Sequence, residues 1–278
     1  MAIITLTTDY GQKDHFIGAI KGAIYSEIED IKIVDISHYV NPFNIQEAAY
    51  IIQNAYKSFP KKSIHIIGVD SELNPENKHI AVYLNDHYFI GADNGIISIL
   101  IAEFNPEKIV EINIHDRVES VFPVLDVFVK AAAHIARGGT LEVIGKVITH
   151  IKPIKELAPI INNEQTQISG SVIYIDNYGN VVTNITRKLF EQVSKGRGFE
   201  ISARNHKFTT IYNKYSDAIN FDLEKNRRDD DGKKLAIFNS SDHIEIAIYK
   251  SNLDTVGGAS TLLGLNFRDT ITINFINS

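Results

Sequence analysis

Carboxylates and amides recur directly after apolar runs in this chain. Asp9 follows Ile3–Thr8, Asp70 follows Ser63–Val69, Asp93 and Asn94 follow Tyr88–Ala92, and Asp176-Asn177-Tyr178-Gly179-Asn180 follows Ser171–Ile175. An ionised carboxylate accepts hydrogen bonds from paired hydroxyls or an ammonium, and a shielded one takes a proton from water. These residue types therefore suit capture of a small polar molecule and general-base chemistry. In an open α/β sheet, ligands collect outside the carboxyl ends of the strands, so the positions are the expected ones. Each residue alone is also an ordinary turn former. Their recurrence points to a shared site, which the pattern places in a cleft between two domains.

Other chemistries are poorly represented. Neither GxGxxG nor GxxxxGK[ST] occurs, Gly196-Arg197-Gly198 being a lone fragment, and HExxH and GxSxG are missing too. The ten histidines are scattered without a helix-face metal spacing, so neither a metal nor a cofactor is expected, and His134 reads as a packed residue. With no cysteine, disulfides, thiolate zinc sites and Cys nucleophiles are all excluded. A formal charge of −6 disfavours nucleic acid as a partner and leaves small molecules. No apolar run reaches the roughly 20 residues of a membrane helix, and the start lacks a signal-peptide layout. No membrane partner and a cytoplasmic location are the expectation.

The elements that must position these residues follow from periodicity. Ile17, Ile20, Ile24 and Ile28 mark one helix face after the first strand, and Ile31–Asp35 is a short strand. Asn44 with Glu47 predicts a capping box for a helix along Ile45, Ala48, Ile52, Ala55 and Phe59, ended by Pro60. Ser63–Asp70 is a strand, Ser71–His79 a polar loop, and Ile80–Leu84 with Tyr88–Ala92 a hairpin turning at Asn85-Asp86. A strand over Lys108–Ile114 and a helix over Val127–Arg137, ended by Gly138-Gly139, complete this half. The alternation predicts an α/β fold, a mostly parallel sheet with helices on both faces. Between Lys152 and Gln167 the pattern breaks, which reads as a linker. Short strands follow at Ser171–Asp176, Val181–Ile185, Gly198–Ile201, Lys234–Phe238, Ile244–Tyr249 and Thr270–Phe275, the pattern of a small barrel or sandwich. The run Glu224–Gly232 reads as a solvated loop.

Several motifs together carry a family resemblance. They are Thr8-Asp9-Tyr10-Gly11 with Asp14, Gly18 with Lys21-Gly22, Asp35-Ile36-Ser37-His38 with Pro42-Phe43, Asp93-Asn94-Gly95, Ile175–Asn180 with Thr183-Asn184-Ile185, Asn239-Ser240-Ser241, and Gly264-Leu265. In this order, over nearly the whole chain, they resemble the S-adenosylmethionine hydroxide adenosyltransferase family, relatives of the fluorinating and chlorinating enzymes. The resemblance implies an α/β nucleoside-binding domain over residues 1–155 and a smaller β-barrel-like domain over 165–278. It also implies a homotrimer with the ligand between domains of neighbouring subunits. The implied reaction displaces methionine from the ribose C5′ of S-adenosylmethionine, with no cofactor. Asp9 would hold the ribose diol, and Asp14 and Asp176 the methionine ammonium. Tyr178 and Asn180 would meet the adenine by stacking and hydrogen bonding, and Ala259 by its backbone. Ser240 and Ser241 would lie at the methionine carboxylate, with Phe43 and Asn94 as further substrate contacts.

The departures fall where the chemistry would be. Hydrolases of the family resemble one another in an Asp-Arg-His set that positions and deprotonates water. Here Asp70 keeps the Asp position, Asn77 stands for the Arg and Pro123 for the His. The expected activity is hydrolysis to adenosine and methionine, with Asp70 as base and Lys78 or His79 supplying positive charge. A non-catalytic binder of S-adenosylmethionine or adenosine is the alternative. Halide use ranks third, because Asp70 would repel a halide and Val124 lacks the hydroxyl of the fluorinating relatives.

Overall fold

The computed structural model describes residues 2–101, 105–114, 120–153, 158–228 and 232–276. It has two compact units, Met1–Ile154 and Lys155–Ser278.

In the first unit the chain runs β1 (Ile3–Thr8), α1 (Phe16–Glu27), β2 (Lys32–Ser37), α2 (Ile45–Ala55), β3 (Ile64–Gly68), β4 (His79–Leu84), β5 (His87–Ala92) and α3 (Ile96–Leu100). It continues through β6 (Lys108–Ile112), α4 (Val129–Ala136), α5 (Leu141–Ile144) and β7 (Gly145–Val147). The sheet order is β2-β1-β3-β5-β4-β6-β7. β1, β2, β3 and β5 are mutually parallel, while β4 and β7 run against their neighbours. The carboxyl ends of β1, β2, β3, β5 and β6 and the starts of β4 and β7 therefore share one edge, since His79 pairs with Ala92 and Gly145 with Ile112.

Alternation along the strands feeds two cores. Ile66, Ala81 and Ile90 pack with Ile20, Ile24, Phe128 and Ala132, whereas their neighbours Ile67, Val82 and Phe89 pack with Ala48, Ile52, Ile96 and Leu100. Successive strand residues face opposite ways, so helices cover both faces, as the pattern predicts. The Asn85-Asp86 turn is left-handed at both residues, φ 51° and 64°, as a two-residue hairpin requires. Asn44 caps α2 by accepting the Glu47 N–H at 3.2 Å, but the expected box does not close on the Asn44 backbone. The Glu47 carboxylate turns instead to the Asn41 N–H and to the side-chain amides of Asn41 and Asn44. The helix expected from Val127 is preceded by a wider π turn over Val124–Phe128, with Pro123 leading into it at φ −58°. There the missing proline N–H is no loss, because first-turn donors have no intrahelical acceptor.

The second unit contains β8 (Ile160–Ile161), β9 (Gln167–Ile175), β10 (Val181–Thr186), α6 (Arg187–Ser194), β11 (Phe199–Ala203), β12 (His206–Phe208) and β13 (Ile211–Tyr212). β14 (Lys234–Phe238), β15 (His243–Ile248), α7 (Ala259–Leu262) and β16 (Thr270–Phe275) complete it. The hydrogen-bonded path is β12-β11-β16-β9-β10-β15-β14-β13, with β8 also on β9, a nearly closed barrel-like sheet. β9 changes partner at its middle: residues 167–171 pair with β16 and 172–175 with β10. Gly170 lets Ile185 and Asn184 approach the strand there, since a Cβ would lie 2.4 Å from Ile185 Cγ1 and 2.5 Å from Asn184 Oδ1. That Asn184 oxygen accepts the Ser171 N–H at 2.8 Å. Helix α6, unforeseen from the sequence, starts on Thr186, whose Oγ1 accepts the Leu189 N–H. Of the Glu224–Gly232 run, Lys225–Arg227 form an exposed 3₁₀ turn. Residues 229–231, and 154–157 of the expected linker, lie outside the described residues.

Two histidines that look scattered in the sequence meet inside the first unit. His65 Nδ1 lies 2.7 Å from Thr5 Oγ1, and its Nε2 lies 3.1 Å from His87 Nδ1. Phe89 stacks on the His65 ring, and Tyr56 and Phe59 meet its edge. Burial, and then the neighbouring His87, push His65 down to about 3. A histidine held neutral in the fold but free to protonate near 6.5 when unfolded stabilises the protein above that value. The stabilisation drains away as pH falls from 6.5 towards 3. Urea unfolding is expected to show stability falling by up to about 1.4 kcal/mol per pH unit from this residue below pH 6. The His65 ring resonances should not titrate between pH 8 and 5.

Candidate active site

The shared edge of the first sheet is built of loops tied together by side chains. After β1, Asp9 Oδ2 accepts the Phe43 N–H at 3.0 Å, and the Gly11 N–H donates to the His38 carbonyl at 2.7 Å. The β1–α1 loop is thus fixed to the β2–α2 loop at two points. Phe43 sits left-handed at φ 61° with its ring 72% exposed, a conformation costly for an aromatic residue. Burial raises the Asp9 carboxyl, opposed by the N–H groups of Phe43 and of Asp9 itself. Nearby Asp70 acts both ways, its charge raising and its backbone N–H lowering. Beneath the loop, buried Thr8 Oγ1 lies 2.9 Å from His38 Nδ1. His38 Nε2 lies 3.1 Å from Asp35 Oδ1, and Lys21 Nζ donates to the other Asp35 oxygen at 2.6 Å. Partial burial works to raise the Asp35 carboxyl, but Lys21 and His38 hold it below the usual carboxylate range.

After β3, Asp70 is also left-handed, at φ 45°. Asn94, buried after β5, donates its amide to the carbonyls of Val69 (2.9 Å) and Asp70 (3.0 Å) and accepts from the Ile96 N–H. Asn94 thus holds the β3 end. His79 is buried at the start of β4, its Nε2 donating to the Ser71 carbonyl at 2.9 Å. This fixes the residue after Asp70. The Tyr10 hydroxyl lies 3.1 Å from Ser71 Oγ, and burial pushes that phenol up to about 12, Ser71 opposing and Asp9 adding. Lys78 is exposed, and its carbonyl accepts the Asp93 N–H. The ammonium that reaches Asn77 Oδ1, at 3.0 Å, belongs to Lys152. Asp14 is exposed in the bend before α1.

In the second unit Asp176 organises its own loop. Its Oδ1 accepts the N–H groups of Tyr178 and Asn180, and its Oδ2 accepts the Asn180 amide at 3.0 Å. Asn180 is buried, with Ser251 Oγ donating to its Oδ1, whereas Tyr178 stands 60% exposed with its ring open to stacking. Gly258 must be glycine for the loop to close, because a Cβ would lie 2.5 Å from the Tyr178 carbonyl. Ala259 opens α7, buried, and the Ser260 N–H donates to the Gly179 carbonyl. Ser240 and Ser241 lie in the turn before β15, where Asn239 Oδ1 accepts the Ser241 N–H. Sequence reading missed Glu245, a carboxylate only 3% exposed that accepts from the Tyr215 hydroxyl at 2.7 Å and the Asn239 amide at 3.2 Å. An acidic residue inside the apolar run Ile244–Ile248 was the available signal. His134, read as packed, bonds the Thr140 carbonyl.

Among the described residues no group of three or more His, Cys, Asp or Glu side chains is placed to hold a metal ion, and no helix is long and apolar enough to cross a membrane.

The chain matches family models for the N-terminal domain of SAM hydroxide adenosyltransferases over residues 4–145 and for the C-terminal domain over 170–272. It belongs to the SAM hydroxide adenosyltransferase family. A Methanocaldococcus jannaschii protein named (R)-S-adenosyl-L-methionine hydrolase is 29% identical, over 98% of this chain and 95% of its own. A fluorinase from Actinopolyspora mzabensis is 23% identical over 70% of this chain and 75% of its own. A crystal structure of an uncharacterized conserved protein from Thermotoga maritima superposes with a TM-score of 0.81 at 26% identity, covering 99% of this chain and 100% of that one.

The role found for Asn94 is testable without any ligand. Asn94→Asp keeps the shape but points an acceptor at two carbonyls, and is expected to cost the first unit about 1–3 kcal/mol. Urea unfolding at pH 7 measures it, and an unchanged midpoint would refute the assignment.

Proposed function

We propose that this chain hydrolyses S-adenosylmethionine to adenosine and methionine. The family membership supports this reading, and the observation that carries it is Asp70, held left-handed by Asn94 at the same sheet edge as Asp9. In the reaction a water oxygen bonds to ribose C5′ while the C5′–S pair leaves on sulfur, and the water proton passes to Asp70. The sulfonium becomes a neutral thioether without acid help, so no cofactor is needed and alignment of water can supply much of the rate. Asp9 would accept from the ribose hydroxyls with the lone pairs left free by the Phe43 N–H. Asp14 and Asp176 would meet the ammonium, and Ser240 with Ser241 the carboxylate of the methionine portion. Tyr178 would stack on adenine, with Asn180, Ala259 and Phe43 as neighbouring contacts. His79 acts by fixing Ser71. Residues 1–155 would serve as the nucleoside-binding domain and 165–278 as the barrel-like partner domain. Cytoplasmic action as a homotrimer, without nucleic acid or membrane, completes the reading on the strength of the resemblance and composition.

In water enriched in oxygen-18, the label is expected in the adenosine 5′-hydroxyl, read by mass spectrometry. Asp70→Asn should abolish turnover yet keep adenosine affinity, while Asp9→Ala should lose adenosine binding by calorimetry. Label-free product, or unchanged turnover in Asp70→Asn, would overturn the mechanism. Sedimentation at micromolar concentration is expected to give a trimer, and a monomer contradicts that assembly.

A further inference from the structure

The edge that carries the reaction is acidic, since Asp9, Asp70 and Asp93 end three of its strands. Building hydroxide character on a water there, with a carboxylate as base, is opposed by every neighbouring negative charge. A cation placed on the edge offsets that repulsion.

Lys152 is such a cation, and it is anchored three ways. Its backbone N–H bonds both Asp93 oxygens, at 2.9 and 3.0 Å, its carbonyl accepts the Ser98 hydroxyl, and its Nζ donates to Asn77 Oδ1 at 3.0 Å. The contacts on both sides of it are themselves fixed. Asn77 is held through its N–H by Asn74 Oδ1, and the Asp93 N–H bonds the Lys78 carbonyl at 2.6 Å. Asn94, next in sequence, holds the Asp70 carbonyl. An exposed lysine normally loses too much side-chain freedom for its contacts to matter, but here the main chain is fixed on both sides of the residue. The sequence pattern begins a linker at Lys152, yet the residue is bound into the first unit.

We propose that Lys152 is a charge-supplying positioning residue of the hydrolysis, its ammonium seated on Asn77 so as to favour hydroxide character on the attacking water while Asp70 receives the proton. This rests on the hydrolase reading above. It also accounts for an uncharged Asn77, whose amide oxygen receives the cation.

The test compares the parent protein with Lys152→Met, Lys152→Arg, and Lys152→Met combined with Asn77→Arg. The readouts are kcat and KM for S-adenosylmethionine, adenosine affinity and melting temperature. Lys152→Met leaves the main-chain anchors in place and is expected to lower kcat about 10- to 100-fold, with KM and adenosine affinity within about 2-fold and melting unchanged. Lys152→Arg should retain most of the activity. Asn77→Arg in the Lys152→Met background should return kcat to within about 5-fold of the parent, because it restores a cation at the same place. A Lys152→Met protein with kcat within about 2-fold of the parent overturns the role. A loss that neither cationic variant repairs, or one accompanied by a lowered melting temperature, shows a merely structural residue and also overturns it. A parent that forms no adenosine overturns the hydrolase reading itself and this role with it, an outcome distinct from an active parent with an indifferent Lys152.

Discussion

The site depends on β1 lying between β2 and β3 with all three strands pointing the same way. That register alone brings Asp9, His38 and Asp70 to one edge from three separate strand ends. β5 adds Asp93 and Asn94 in the same direction, and the reversed β4 delivers Lys78 and His79 at its beginning. Apolar alternation holds the arrangement from both faces, and Asp9, Asp70, Asp93 and Asn94 lie outside both hydrophobic clusters of the first unit.

Loops at this edge are set by side chains bonding to main chain. Phe43 and Asp70 both occupy left-handed backbone, which an aspartate tolerates and an aromatic residue does not, and both are held from outside, by the Asp9 carboxylate and the Asn94 amide respectively. Strain of this kind persists only where surrounding contacts over-determine it, and it gathers where a side chain must be aimed. The chain from buried Thr8 and His38 out to Asp35 and Lys21 at the surface supports the same loop. Asp176 does the equivalent work in the second unit, organising the loop that exposes Tyr178.

Much of this was legible in the sequence because it is local. The strand-then-carboxylate pattern, the Asn85-Asp86 turn and the Gly138 stop are each written within a few residues, and each forms. What was not legible is the pairing of distant residues. His65 and His87 are 22 positions apart and meet only because β3 and β5 are neighbours, which periodicity does not say. Asn77 finds Lys152 from 75 positions away, a pairing that no local pattern announces. That the Asn94 amide completes the buried backbone at the end of β3 is likewise a pairing across more than twenty positions. Glu245 was passed over inside an apolar run, where burial turns a carboxylate into the partner of Tyr215 and Asn239.

The partner change along strand β9 carries a further implication for how the second unit comes apart. One half of it is hydrogen-bonded to β16 and the other to β10, so the two halves of the sheet share a single continuous segment of chain. Neither half can peel open without pulling on the backbone that closes the other. The unit is thus mechanically one piece: its amides around Gly170 belong to both halves at once, and should become accessible to solvent exchange only when the whole barrel-like sheet opens.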